Sequence, residues 1–94
     1  MREKGIEKRL VSEVKKQGGL CPKFVSPGFD GMPDRIILMP KGRLAFAELK
    51  SKGSRPRPLQ LSRHRLLRNL GFKVYVIDDV SQIGGVLDEI INSM

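Results

Sequence analysis

Cysteine is nearly absent. Cys21 stands alone, so no intrachain disulfide can form, and the expected place for it is a small buried apolar position in a reducing compartment. Tryptophan is missing, and the aromatics number only four Phe and one Tyr. No apolar run approaches the ~20 residues of a membrane span, and the N-terminus lacks the apolar segment of a signal peptide. We therefore expect a soluble, intracellular, cytoplasmic protein with no membrane partner. Cys/His clusters of zinc-binding spacing are absent, as are a Walker loop, GxGxxG and GxSxG, which removes structural zinc, P-loop, dinucleotide and serine-hydrolase chemistry. No internal repeat or low-complexity tract appears, and 94 residues suffice for one domain, residues 1–94.

Acidic residues are the most informative scarcity. The chain carries 18 Lys and Arg against 10 Asp and Glu, a formal charge of +8 and a pI near 10.2. Between Arg35 and Tyr75 the only acid is Glu48, set among Arg35, Lys41, Arg43, Lys50, Lys52, Arg55, Arg57, Arg63, Arg65, Arg68 and Lys73. Such a field implies a polyanionic partner. A solitary carboxylate inside it asks for a specific role.

The stretch Gly31-Met32-Pro33-Asp34-Arg35-Ile36-Ile37-Leu38 and its answer Ala45-Phe46-Ala47-Glu48-Leu49-Lys50 supply one. Each reads as a strand, with Pro40 and Lys41-Gly42 marking a turn between them. A hairpin folded there lies antiparallel and brings Asp34 and Glu48 to the same end of the sheet. Glu48 and Lys50, two apart, share a face. Two carboxylates about 4 Å apart repel by roughly 4 kcal/mol at an effective dielectric of about 20. A divalent cation relieves this, and oxygen-only ligation suits Mg²⁺ or Mn²⁺, with the Leu49 backbone carbonyl as a further ligand. Lys50 is then placed to orient a metal-bound water or to stabilise charge developing on a phosphate.

Helical spacing over Glu3 to Gln17 gives an apolar stripe of Ile6, Leu10, Val11 and Val14, stopped by Gly18-Gly19. Glu7 falls within that stripe, where a carboxylate is costly unless a site on the sheet compensates it. Leu20 to Val25 reads as a short edge strand broken by Pro22, with Lys23 able to reach a phosphate. Ser26 to Gly31 is loop, in which Asp30 suits a turn. Ser51 to Pro58 is a basic, proline-punctuated loop whose Lys52, Arg55 and Arg57 are candidates for phosphate contacts that fix position without reading bases. A helix from Pro58 to Leu70, ended by Gly71, is expected to bury Leu59, Leu66, Leu67 and Leu70, with Gln60 and His64 on its edge and Arg63 on the basic surface. His64 is expected to be exposed or to contact phosphate. Phe72 to Ile77 is a final strand buried on both faces. Ser81 caps a last helix whose Ile83, Val86, Leu87, Ile90 and Ile91 serve the core, with some surface left for a subunit contact.

Gly31-x-Pro33-Asp34 followed by Glu48-x-Lys50, with Glu7 in the preceding helix and Gln60 opening the next, resembles the PD-(D/E)xK nuclease superfamily. Within it the chain is similar to the small stand-alone VRR-NUC group of phages and bacteria, over nearly its whole length. That resemblance implies an α/β fold with a restriction-endonuclease-like core, in α-β-β-β-α-β order with a C-terminal helix, its mixed sheet flanked by helices. It implies a phosphodiester hydrolase using Mg²⁺ or Mn²⁺, with Asp34 and Glu48 as ligands and Glu7 acting through water or at a second ion. Lys50 and Gln60 complete the catalytic set. For partners it implies DNA, including four-way (Holliday) junctions, cut by a homodimer in the host cytoplasm if the chain is phage-encoded. Two rival readings are a non-catalytic basic nucleic-acid-binding protein and a pure interaction protein; neither accounts for the coincidence of Glu7, Asp34, Glu48 and Lys50.

Overall fold

The structure is a computed structural model and describes residues 2–93. Helix α1 spans Glu3–Lys16, strand β1 Arg35–Met39, strand β2 Arg43–Leu49, helix α2 Pro58–Asn69, strand β3 Lys73–Ile77 and helix α3 Ile83–Ile91. The sheet runs β1-β2-β3, with β1 antiparallel and β3 parallel to β2. This is the expected mixed α/β arrangement, with β2 central. The connection from β1 to β2 is one turn of 3₁₀ helix over Pro40–Gly42, in which Lys41 takes a left-handed φ of 68°.

One expected strand is missing from the sheet. Residues 20–25 make only two isolated bridges to β1, Leu20 with Leu38 and Lys23 with Arg35. Pro22, which has no amide hydrogen to donate, separates the two and explains why no ladder forms.

Period-2 alternation divides the sheet into two faces. Ile37, Met39, Ala45, Ala47, Leu49 and Ile77 pack against Ile6, Leu10 and Val14 of α1 and Ile83, Leu87 and Ile90 of α3, with Cys21 buried among them. Phe46 and Val74 on the other face meet Leu67 of α2 in a second, smaller cluster. The stripes of α1 and α3 are therefore core, as their spacing requires. Helix α2 differs. Its buried residues are Gln60, His64 and Leu67, whereas Leu59, Leu66 and Leu70 are exposed. The expected leucine stripe is turned away because the part of the sheet beneath the first half of α2 is polar, and its Glu48 must be met by polar side chains. The 3₁₀ turn over Val80–Gln82 that leads into α3 is capped by Asp79, whose side chain accepts from the Ser81 amide at 3.0 Å. Helix α3 itself, with Gln82 at its N-cap, has no side-chain cap, so Ser81 does not play the expected part.

Candidate active site

The pairing register sets Arg35 against Ala47, which places Asp34 and Glu48 opposite one another where β1 begins and β2 ends. Asp34 precedes the strand, and its Oδ2 accepts a 2.8 Å hydrogen bond from the Leu49 amide. The first carboxylate is thereby fastened to the strand that carries the second. Glu48 is 1% exposed, and Lys50 follows it on the same face with Nζ 3.5 Å from Glu48 Oε2.

Helix α2 closes the site from above. Gln60 Nε2 donates to Glu48 Oε2 at 2.9 Å, while Gln60 Oε1 accepts from the Arg57 amide at 2.8 Å. Pro58 starts this helix, so a free donor at its N-terminal end and a buried carboxylate are satisfied by one amide side chain. One turn further on, His64 is fully buried with Nε2 3.6 Å from Glu48 Oε1. That separation is too long for a hydrogen bond, and Glu48 Oε1 and both His64 ring nitrogens lack a partner. The expectation of an exposed, phosphate-contacting His64 does not hold, because His64 projects from the same face of the helix as Gln60, one turn along it.

Burial is the largest influence on Glu48, followed by the charge and hydrogen bonding of Asp34, with Lys50 opposing; together they push its carboxyl up to about 7. Burial, and then the nearby Arg68 charge, push His64 below its ordinary value, which keeps it neutral. A carboxylate raised into the neutral range beside a second carboxylate and an ammonium group is a mark of functional sites.

Glu7 is placed differently from expectation. It approaches the sheet on the α1 face, where its Oε2 lies 3.3 Å from Arg35 Nε, and Arg35 Nη1 also donates to the Cys21 carbonyl at 2.7 Å. Arg35 follows Asp34 in the chain and so points to the opposite face of the sheet. Glu7 is compensated by this arginine, which the sequence places only in the basic field. Adjacency to Asp34 on a strand was the available signal. Glu7 and Arg35 also line a cavity of about 610 Å³ with Lys4, Lys8 and Lys15 of α1.

Among the described residues no group of three or more His, Cys, Asp or Glu side chains is arranged to hold a metal ion. The donors at hand are two facing carboxylates, one with a buried oxygen that has no partner. That set fits a hard divalent cation that keeps most of its water, as Mg²⁺ and Mn²⁺ do, and does not fit a dense protein cage. For Leu49 the contact seen is made by its amide, on Asp34. Of the expected phosphate-contacting residues, Lys23, Arg55 and Arg57 are exposed. Lys52 is exposed too, with Nζ 3.0 Å from Asp79 Oδ2. Arg63 is engaged by the loop before Asp34, its Nε donating to the Asp30 carbonyl at 2.8 Å. No helix among the described residues is long and apolar enough to cross a membrane.

No family model matches the chain. A phage protein named "Putative nuclease p44", from Acyrthosiphon pisum secondary endosymbiont phage 1, is 51% identical over 85 residues, covering 88% of this chain and 91% of that protein. A solved structure named VRR_NUC domain superposes with a TM-score of 0.85 at 28% identity, over 94% of this chain and 97% of its own. Relatedness of this extent, over a sheet that presents Asp34, Glu48 and Lys50 in the order of the PD-(D/E)xK motif, means that the chain belongs to the VRR-NUC nucleases of that superfamily.

Proposed function

We propose that this nuclease is a single-domain, Mg²⁺- or Mn²⁺-dependent DNA endonuclease selective for branched structure, with four-way junctions as its leading substrate and a homodimer as its working form. The observation that carries the reading is the facing carboxylate pair. A buried carboxylate whose proton affinity is raised by burial and by a second carboxylate gives up its proton more readily when a cation joins the two.

Asp34 and Glu48 would hold the cation, with the Leu49 carbonyl as an additional ligand; Glu7, paired with Arg35 on the opposite face of the sheet, stands outside this ligand set. The cation supplies Lewis-acid activation of the scissile phosphodiester and of the attacking water. Lys50 holds a positive charge against Glu48 and is positioned to orient the nucleophile or balance charge on the phosphate. Gln60 keeps Glu48 in its rotamer. Lys23, Lys52, Arg55, Arg57 and Arg63 extend the cationic surface along which a DNA backbone would run, with affinity that falls steeply as salt rises. A dimer would place two such sites on opposite strands of a junction.

The test is incubation with linear, flapped and four-way-junction DNA in Mg²⁺, Mn²⁺ or EDTA, using the wild type, Asp34→Ala and Lys50→Ala. Cleavage is expected only with metal, and both variants should lose it while retaining DNA binding. Cleavage by either variant at the wild-type rate removes the assignment. Sedimentation of the active protein as a monomer removes paired cutting.

A further inference from the structure

Of the five aromatic side chains, Phe24, Phe46 and Phe72 meet edge to face in and around the smaller cluster, and Tyr75 donates its hydroxyl to Glu89. Phe29 joins none of these contacts, although Phe72 is as exposed, at 42%. Phe29 sits in the loop before Asp34, is 39% exposed, and has the Arg63 guanidinium 3.9 Å from its ring centroid. The loop is not loosely held. Phe29 closes a turn through its amide to the Ser26 carbonyl, at 3.1 Å, and Arg63 donates to the Asp30 carbonyl. Gly31 packs so closely on α2 that a β-carbon there would lie 2.7 Å from Leu59 Cγ and 3.2 Å from Arg63 Cγ. Val25, 77% exposed, and Leu59, 45% exposed, are further apolar side chains of this loop and of the helix that holds it.

We propose that the Phe29–Arg63 pair is a stacking platform for an unpaired DNA base next to the scissile phosphate. Arg63 covers one face of the ring, and the stacked pair offers a planar surface that carries a fixed cation, which suits a nucleobase attached to a phosphate. Arg63 lies three residues after Gln60, about 4.5 Å further along α2, and Gln60 holds Glu48. The platform is therefore held within one helical turn of the residue that holds Glu48, and the chain's formal net charge of +8 favours a polyanion over an apolar peptide. A base stacked in intact duplex is not free to stack here, whereas a base at a branch or in a single strand is. The platform thus accounts for structure selectivity, and in that respect it rests on the nuclease reading above.

The experiment measures affinity of the full chain, in EDTA, for a fluorescein-labelled oligo(dT) single strand and for a blunt duplex of equal length. Phe29→Ala is expected to weaken single-strand binding about tenfold, the loss of one base–aromatic stack, with duplex binding unchanged. Phe29→Trp is expected to retain or exceed wild-type affinity, and Phe29→Leu to behave like Phe29→Ala. Equal losses on both DNAs, no loss on the single strand, or a Trp variant as weak as Ala would overturn the platform. Cleavage of flapped DNA in Mn²⁺ separates the two readings. A chain that cuts it while Phe29→Ala binds oligo(dT) normally keeps the nuclease and loses the platform; a chain that binds oligo(dT) through Phe29 and cuts nothing keeps the platform and loses the nuclease.

Discussion

Replacing Glu48 by glutamine is expected to make the metal-free protein more stable while abolishing its activity. Glu48 is buried beside Asp34, and its carboxyl titrates at about 7 rather than 4.5. A carboxyl whose affinity for a proton rises on folding stabilises the fold fully below pH 4.5, and this contribution is lost as pH climbs to about 7. The rise from 4.5 to about 7 corresponds to about 3 kcal/mol, at roughly 1.36 kcal/mol for each pH unit. In Glu48→Gln the side chain carries no charge at any pH and can still accept from Gln60 through its carbonyl oxygen, so the variant escapes that loss. Thermal unfolding in EDTA, followed from about pH 4 to about pH 8.5, should show the two proteins close together at the acid end. Toward neutral pH and above, the variant should unfold higher by on the order of 10 °C for a domain of this size. Because the comparison is a difference between two chains, titrating groups remote from Glu48 largely cancel. A gap that stays constant with pH, or a wild type that remains the more stable at the alkaline end, would refute the argument that the carboxylates oppose one another without a cation.

Adding Mn²⁺ at about 100 times its dissociation constant should stabilise the wild type by roughly 2.7 kcal/mol, by mass action; Asp34→Asn and Glu48→Gln should show little of this in the same thermal assay. Gly31→Ala forces a side chain into φ +88° and against Leu59 and Arg63, so it is expected to destabilise by about 1 kcal/mol or more and to lower cleavage by displacing the segment that delivers Asp34. A variant with wild-type melting temperature and rate would contradict that packing. Leu70→Gln is expected to change stability by less than about 0.5 kcal/mol, whereas Leu67→Ala should cost about 2–5 kcal/mol in denaturant unfolding. The reverse order would restore the leucine stripe of α2 to the core.

The amino-acid sequence alone determined the elements that depend on local spacing. The apolar stripes of α1 and α3, the β-prone runs of β1 to β3, the turn at Lys41-Gly42 and the meeting of Asp34 with Glu48 follow from periodicity and strand pairing. Such features need only a few neighbouring residues to specify them. Tertiary structure decided what lay between elements. It reduced residues 20–25 to two bridges, because Pro22 cannot join a ladder. The face of α2 was chosen by what lies beneath it: a buried carboxylate required Gln60 and His64 inward, against the hydrophobicity of Leu59, Leu66 and Leu70. Glu7 went to Arg35 because α1 covers the sheet face opposite to the one that carries Glu48. A charge finds its partner in three dimensions, and no spacing along the chain contains that information.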